Sequence, residues 1–324
     1  MSEAKTLPSQ KNNVKAVPET RWREKKQFQK VIFLLLAVGP SMAGYFLFDL
    51  YPNVMSAYYS LFRWDGVSEK EYIGLENFIR IFSDTQIARA ALNNLIIILV
   101  VPVSVIMISL LLAYALTNKE FPENRIYRNV FFLPNVLSTV IVALIFTFIF
   151  DGGFGMLNAV LRAIGLDTGS IYWLGDERTA LISVMITMVW GSTGFYLIVF
   201  MNAMTAIPRS IYESCILDGA SSMARLFKIT VPLIWGVVKV SMFFLMIGML
   251  KGFEIIMVLT DGGPAGETNV LGLYMFNLAF GSIASGTGTH KYGYASAIGM
   301  LLFAILVILK LIIDKFANKD PVEF

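Results

Sequence analysis

Six long runs of apolar residues, separated by polar segments, dominate the hydrophobic pattern of the chain. The runs cover about 31–50, 95–116, 130–150, 181–204, 233–259 and 294–313. A helix rises about 1.5 Å per residue, so roughly 20 apolar residues are enough to cross a bilayer core of about 30 Å. The runs are continuous, whereas the strands of a membrane β-barrel alternate apolar and polar positions. The pattern therefore predicts an all-α polytopic membrane protein with six transmembrane helices.

Composition supports a membrane protein and excludes several other classes. The 324 residues are 56% hydrophobic and 15% charged, whereas a soluble domain averages about 45–50% apolar and about 25% charged residues. A single cysteine, Cys215, excludes an internal disulfide, and a single histidine, His290, excludes the usual histidine-rich metal sites, so no metal is predicted. A net charge of +3 is too small to indicate a nucleic-acid partner.

Polar segments divide the chain into four parts. We expect a basic N-terminal arm at 1–30, the first transmembrane helix with an outer loop at 31–93, a core transmembrane domain at 94–315 and a short cytoplasmic tail at 316–324. The first apolar run begins late, is long and has no small-residue cleavage site after it, so a cleaved signal peptide is not expected. The first helix should therefore stay in the mature protein.

Basic residues near the ends of the runs predict the orientation, because Lys and Arg in short loops are retained on the cytoplasmic side. Such residues cluster in the arm, after the second run, after the fourth run and in the tail: Arg21, Arg23, Lys25, Lys26, Lys30, Lys119, Arg125, Arg128, Arg209, Arg225, Lys228, Lys315 and Lys319. By contrast, the stretch 261–289 holds no Lys or Arg. We therefore expect both termini in the cytoplasm.

The loop 207–232, between the fourth and fifth runs, is more structured than a plain connector. Ser210, with Glu213 three residues later, forms a capping-box pattern that starts a helix. Gly219 can supply the left-handed residue that ends this helix. The pattern predicts a short helix that stops at the glycine.

A second short helix is expected after the glycine. Ser221 or Ser222 can cap it, and Pro232 would open the next span. Two short helices meeting at Gly219 would form a compact, partly apolar hairpin. From the residues alone, a hairpin that rests on lipid headgroups and a knob that docks on another protein are equally good interpretations.

The spacing in this loop resembles the E-A-A signature of importer permeases in the ATP-binding cassette (ABC) superfamily. The matching acid, glycine, isoleucine and proline are Glu213, Gly219, Ile229 and Pro232. Ser214 and Cys215 replace the two alanines of the signature, and Val231 replaces its leucine. The strings 212–213 and 218–221 are similar to the form found in carbohydrate permeases of this class.

Further strings resemble the same family in the same order along the chain. They are 128–134, 155–158, 259–264 with Thr268, and 292–297. The ordered set covers roughly 30–315. The chain is therefore identified as a member of the maltose, glycerol-3-phosphate and oligosaccharide type of ABC importer permeases, and the resemblance implies the type I ABC importer permease fold.

The resemblance implies a transport subunit of the bacterial inner membrane rather than an enzyme. No G-x-x-x-x-G-K-[ST] phosphate loop occurs in the chain. Two partner ATPase subunits would therefore bind ATP and Mg²⁺, and no cofactor is expected in this chain. The other implied partners are a second homologous permease subunit, an extracytoplasmic solute-binding protein and the lipid membrane.

The loop 207–232 would be the coupling helix that sits on an ATPase subunit. The residues that the resemblance assigns to coupling are Tyr212, Glu213, Ser214, Cys215, Asp218, Gly219, Ala220, Ser221, Phe227, Ile229 and Pro232. Closure of the ATPase pair would move this loop as a lever and drive alternating access. The imported substrate would be a saccharide or oligosaccharide, either neutral, as in maltodextrins, or anionic, as in uronate oligomers.

Polar and aromatic residues within the fourth and fifth runs are candidates for the substrate pathway, because polar groups are costly inside a membrane. They are Trp190, Tyr196, Asn202, Lys251, Phe253 and Glu254. Lys251 and Glu254 stand at i and i+3, so an internal ion pair is the other interpretation, and the one we favour. Gly191 and Gly194 would permit close helix approach or local unwinding.

Three alternatives are compatible with parts of the pattern. An ion-gradient-driven secondary transporter would commonly show inverted repeats and intramembrane carboxylates, and no repeat is visible. A membrane scaffold would leave the docking loop unexplained. Within the family, a permease for amino acids or peptides is a third possibility, but the strings 218–221 and 259–264 favour carbohydrate.

Overall fold

The computed structural model describes residues 19–118, 124–166, 171–282 and 290–317, and these fall into two compact units, Met1–Met55 and Ser56–Phe324. Some of the sequence predictions lie outside this described part. They are the arm at 1–18, Lys119, Lys319, the end of the tail at 318–324, and the side chains of Arg21, Arg23, Lys25, Lys26 and Arg125.

The first unit is helical. Helix α1 (Glu19–Tyr45) passes into a π-helical turn (Phe46–Leu50), which leads to α2 (Tyr51–Tyr59), and the last four residues of α2 belong to the second unit. The apolar part of this helical stretch, Phe28–Tyr59, is 32 residues long, and most of its described apolar side chains are exposed. A helix that is apolar on all sides is what a membrane span presents, so the first predicted span is confirmed as an apolar helix, and the helix is longer than the predicted 31–50.

The second unit contains one small hairpin and thirteen helices among the described residues. Strands β1 (Phe62–Arg63) and β2 (Glu71–Tyr72) pair antiparallel, with Phe62 opposite Tyr72. The helices are α3 (Glu76–Ser83), α4 (Thr85–Asn118), α5 (Asn124–Val136), α6 (Thr139–Ile149), α7 (Met156–Ala163), α8 (Ala180–Thr205), α9 (Arg209–Leu217), α10 (Ser222–Arg225), α11 (Val231–Leu233), α12 (Trp235–Lys251), α13 (Glu254–Leu259), α14 (Leu271–Phe280) and α15 (Tyr292–Ala317).

The core of this unit forms where α4 packs along α8 and α12. Ile97 and Val101 of α4 and Leu197 and Phe200 of α8 are fully buried there. One polar contact crosses the same interface, because the Ser109 hydroxyl donates to the Thr193 carbonyl oxygen over 3.0 Å. The second, fourth and sixth predicted spans are confirmed as α4, α8 and α15, each long and apolar enough to cross a membrane.

The third predicted span is not a single helix. Helices α5 and α6 meet at an angle of 101°. Helix α6 starts after Ser138, whose hydroxyl accepts a hydrogen bond from the Ile141 N–H and so caps the helix. A continuous apolar run hides this break, since a serine inside it contributes little to mean hydropathy.

The fifth predicted span is bent at one end and interrupted at the other. The helical segment Ser222–Leu233 meets α12 at 79°, and α12 stops at Lys251, before an extended Gly252 (ψ 99°) leads to α13. The described residues therefore contain four long apolar helices, or six spans if each bent pair crosses once. The α5–α6 corner and the break between α12 and α13 both border the cavity described below.

Helix α14 lies within the stretch 261–289, where the sequence predicts no helix. Its ten residues are apolar but too short to cross a bilayer. Leu271 and Leu273 are buried, and the helix packs against α15 and α4.

Candidate functional site

The hairpin, residues 207–232, begins with helix α9 at Arg209. Pro208 occupies the N-cap position, and no side chain caps the helix. The predicted capping box is therefore wrong, because Ser210 already lies inside the first turn, where its carbonyl oxygen accepts from the Ser214 hydroxyl at 2.9 Å. The Glu213 carboxylate is exposed, and the ion pairs among the described residues do not include it.

Gly219 ends α9, as the sequence predicts. Its φ of +73° is left-handed, a conformation that costs an L-residue about 1–2 kcal/mol. The Ala220 N–H donates to the Cys215 carbonyl and the Gly219 N–H to the Ile216 carbonyl, both at 3.0 Å. These two bonds form a Schellman motif, which satisfies the last carbonyls of the helix and reverses the chain.

The second arm of the hairpin is longer than predicted. Of the two candidate caps, Ser221 is the one used, since its hydroxyl accepts from the Ala224 N–H at 3.3 Å. The arm continues from α10 through a π-helical turn (Leu226–Thr230) into α11. Pro232 therefore lies near the end of this arm and does not open the fifth span, which starts at Trp235.

The turn of the hairpin presents apolar side chains to the surface. Leu217 is 88% exposed, and Ile216, Met223 and Phe227 are also exposed. All four lie within nine residues of Gly219 on either side. Clustered exposed apolar residues indicate an interaction surface, either with another protein or with a membrane.

A pair of hydroxyl groups joins the two arms of the hairpin at its base. The hydroxyls of Tyr212 and Thr230 are 3.2 Å apart, and the Thr230 hydroxyl also reaches the Arg225 carbonyl at 3.2 Å. Thr230 is fully buried, and burial raises the pKa of the Tyr212 phenol. The sequence gives no signal for this role of Thr230, because Tyr212 lies 18 positions away along the chain. We call this pair the hydroxyl brace.

A cavity of about 560 Å³ lies where the two interrupted spans approach α8. It is lined by residues of the α5–α6 corner, of α8 and of the α12–α13 break: Pro134, Asn135, Leu137, Thr139, Val142, Met188, Gly191, Ser192, Phe195, Tyr196, Phe244, Leu245, Gly248, Met249, Gly252, Glu254 and Ile255. Breaks in helices expose backbone and polar groups to such a space, and membrane proteins tolerate them where they line a cavity.

Two of the six predicted pathway residues, Tyr196 and Glu254, line this cavity. Trp190 lies beside it, with its ring packed edge-on against Phe146 at 5.3 Å between centroids. Asn202 is exposed two turns further along α8 and does not reach the cavity.

The predicted ion pair between Lys251 and Glu254 is wrong for the described residues, which show no such contact. The helix ends at Lys251, so the two side chains do not share a helical face. Lys251 is exposed and does not line the cavity. Phe253 instead packs on α14, with its ring 5.4 Å from that of Phe276.

The two glycines of α8 have different roles. A Cβ at Gly194 would overlap the Phe131 carbonyl oxygen and lie 3.1 Å from the Phe132 Cα, so α5 and α8 are in backbone contact there. At Gly191 the nearest atom, a methyl carbon of Val142, would lie 4.0 Å away. Close approach is therefore the function of Gly194, and α8 is not unwound at either residue.

Asp84 forms a junction between three helices. Its carboxylate caps α4 at the Gln86 N–H and accepts hydrogen bonds from the hydroxyls of Tyr274 on α14 (3.0 Å) and Tyr294 on α15 (2.8 Å). Burial raises the pKa of Asp84, but the hydrogen bonds outweigh it and hold the pKa below its usual value of 3.8. Burial together with the nearby Asp84 carboxylate raises the pKa of Tyr274 to about 12.

The chain's string 259–268 is held against the start of α4. The Asn93 amide donates to the carbonyls of Glu267 and Asn269, each at 2.9 Å. Arg89 pairs with the Glu267 carboxylate at 2.9 Å and donates to the Ala265 carbonyl. These contacts hold the string in place against one end of the core. It is one of the strings that resemble the permease family.

The sequence and the fold are both similar to those of known proteins. The sequence matches the family described as "Binding-protein-dependent transport system inner membrane component" over residues 87–319. It is 34% identical over 297 residues to the probable ABC transporter permease protein YurN of Bacillus subtilis, which covers 91% of this chain and 99% of that protein. It is 31% identical over 297 residues to the diacetylchitobiose uptake system permease protein NgcF of Streptomyces coelicolor, covering 88% and 82%.

A solved structure shares the fold. The crystal structure of a bacterial alginate ABC transporter, in complex with an alginate pentasaccharide-bound periplasmic protein, contains a chain that matches with a TM-score of 0.78 at 23% identity, covering 93% of this chain and 98% of that one. The expected type I ABC importer permease fold is thereby confirmed. The chain belongs to the inner membrane components of binding-protein-dependent transport systems, which are the permease subunits of ABC importers.

Proposed function

We propose that this chain is one permease half of an ATP-driven importer that carries a saccharide or oligosaccharide across the inner membrane. One observation supports the mechanism most directly. The second arm of the hairpin leads, through a 79° bend, into α12, and α12 lines the cavity. A force applied to the hairpin would therefore act on a wall of the cavity.

The hairpin has the properties that a lever needs. Its arms are tied at the tip by the Gly219 turn and at the base by the hydroxyl brace. Its apolar tip is exposed and would fit a groove on a partner ATPase subunit, while the exposed Glu213 carboxylate is available for a basic group on that subunit. ATP and Mg²⁺ would be bound by two such subunits, and a second permease would close the pathway.

The saccharide substrate is inferred from the relatives. Besides NgcF, the chain is 32% identical to the lactose transport system permease protein LacF of Rhizobium radiobacter. The cavity has aromatic, hydroxyl and amide groups, which suit a sugar's C–H faces and hydroxyls. A solute-binding protein would deliver the sugar from the side opposite the hairpin.

Uptake by proteoliposomes tests the proposal. The chain is reconstituted with its partner permease, ATPase subunits and solute-binding protein, and labelled saccharides are offered with and without ATP. We expect accumulation that requires ATP and both ATPase subunits. Uptake that is driven by an ion gradient without them would instead identify a secondary transporter.

Orientation is tested separately. With both termini in the cytoplasm, residue 265 lies on the outer side. In a Cys215→Ala background, a cysteine placed by Ala265→Cys should react with an impermeant maleimide added to whole spheroplasts. Reaction only after the cytoplasmic side is opened would overturn the proposed topology.

A further inference from the structure

Charge is distributed unequally around the cavity. Among its lining residues, all of which the structure describes, Glu254 is the one with a charged side chain. The other polar groups there are Asn135, Thr139, Ser192 and Tyr196, which are uncharged donors and acceptors. No Lys or Arg of the described chain lines the cavity, so an anion inside it would meet no counter-charge from this subunit.

The break between α12 and α13 determines which of two charged side chains, Lys251 or Glu254, lines the cavity. Lys251 is the last residue of α12 and Glu254 the first residue of α13, with an extended Gly252 between them. In one continuous helix the two side chains would share a face. The break removes Lys251 from the lining and leaves the carboxylate there.

The chemistry of these groups favours an uncharged, hydroxyl-rich ligand. A carboxylate accepts hydrogen bonds from two neighbouring hydroxyls, and bonds to a charged acceptor are stronger than neutral ones. Tyr196 and Phe195 offer ring faces for the apolar side of a pyranose. The volume of about 560 Å³ lies within the range of small-molecule sites, about 300–1,000 Å³.

An anionic sugar would be repelled. Two unit charges about 6 Å apart weaken binding by about 3-fold in water and by about 100-fold at an effective dielectric constant of about 20. One solved structure that shares the fold is described as an ABC transporter involved in the import of the acidic polysaccharide alginate, and at 23% identity this likeness shows the fold alone.

We infer that the cavity takes an uncharged saccharide, and that Glu254 determines this specificity by bonding hydroxyl groups and excluding uronates and sugar phosphates. The inference rests on the proposed function and narrows its substrate class. It also assigns separate roles to two residues that the sequence treats as a pair, with Glu254 in contact with substrate and Lys251 outside the site.

Equilibrium binding to the purified transporter tests the inference without the solute-binding protein, whose own specificity would otherwise dominate. The complex of this chain with its partner permease and ATPase subunits is placed in nanodiscs. The probes are radiolabelled neutral disaccharides, each paired with the same disaccharide oxidised at C6 to a uronate. We expect the neutral member of the best-binding pair to bind between about 3-fold and about 100-fold more tightly.

Substitutions assign the effect to one carboxylate. Glu254→Gln keeps the size and one acceptor, so we expect the preference for the neutral sugar to fall toward unity through tighter uronate binding. Glu254→Lys should reverse the preference. Lys251→Gln is the matched control, three residues away and outside the lining, and should leave the ratio unchanged.

Three results would count against the inference. Uronate binding equal to or tighter than neutral binding in the unmodified complex would overturn it, as would an unchanged ratio in Glu254→Gln. Preferential binding of a cationic amino sugar would show that Glu254 is a counter-charge rather than a hydroxyl acceptor. If no saccharide binds while another solute class does, the proposed function itself fails, which is a separate outcome from a wrong charge preference.

Discussion

Gly194 provides a direct test of how α5 and α8 fit together beside the cavity. The change is Gly194→Ala, which adds a single methyl group. That methyl would overlap the Phe131 carbonyl oxygen and lie 2.9 Å from the Phe131 carbonyl carbon. Both obstacles are backbone atoms, so no side-chain rotation can relieve the overlap, and α5 would have to move away from α8.

The expected magnitude follows from two opposing effects. Alanine stabilises a helix interior relative to glycine by up to about 1 kcal/mol. Overpacking of a filled site costs about 1–3 kcal/mol. Because the atoms that the methyl group meets at Gly194 are backbone atoms, we expect a cost at the upper end of this range. The net result for Gly194→Ala is a loss of about 2–3 kcal/mol in stability, whereas Gly191→Ala, with no close neighbour, gains up to about 1 kcal/mol.

The assay is thermal unfolding of the purified complex in detergent, with both variants measured beside the unmodified chain. Gly191→Ala is a matched control, because it makes the same change three residues earlier on the same helix. We expect the midpoint of Gly194→Ala to lie below that of the unmodified chain, and that of Gly191→Ala at or above it. Equal midpoints for the two variants would refute the backbone contact.

Three further predictions concern the hairpin and the Asp84 junction. Tyr212→Phe and Thr230→Val each remove the hydroxyl brace, at a cost of about 1 kcal/mol, and we expect more ATP hydrolysed per sugar imported in proteoliposomes. Because Thr230→Val also removes the bond to the Arg225 carbonyl, the double variant should be no worse than Thr230→Val alone, and additive effects would show that the two hydroxyls act independently. Gly219→Leu should abolish transport and stimulated ATPase activity in the same assay while the subunit still accumulates in the membrane, so normal transport would contradict the coupling role. Asp84→Asn should lower the free energy of unfolding by about 1–2 kcal/mol, because the hydrogen bonds from the two tyrosine hydroxyls become weaker. The thermal midpoint should fall with it. Because the folded pKa of Asp84 is lowered, its contribution is complete above its usual value of 3.8 and is lost as the pH falls through the lower folded value. The difference in the free energy of unfolding between Asp84→Asn and the unmodified chain should therefore be constant from about pH 5 to about pH 8. A difference that varies across this range would argue against a charged Asp84.

Much of the hairpin was predictable because its signals are local. Gly219 ends α9 through hydrogen bonds that span at most five residues. Ser221 caps α10 by accepting a hydrogen bond from the N–H three residues further along the chain. The capping box at Ser210 failed for a local reason as well, since Pro208 sets the helix start two residues earlier. The hydroxyl brace was not predictable, because it depends on how the two arms come to lie side by side.

The candidate pathway was predicted less well. Periodicity alone places Lys251 and Glu254 on one helical face, and the structure separates them by a break that mean hydropathy does not register. Tyr196 is in the lining and Asn202 is not, although both are polar residues of one apolar helix. Whether a polar residue of a span lines the cavity depends on which faces of its helix are packed against other helices.

The sequence by itself determined the environment of this protein and its local turns. Apolar runs of about 20 residues require lipid, and a left-handed glycine or a capping serine acts over a few residues, so neither depends on distant contacts. Only the tertiary structure decided where the spans break, that Gly194 is a point of backbone contact, and that Glu254 rather than Lys251 lines the cavity. These features depend on which helix faces which, and that is set by side chains far apart in the chain packing together.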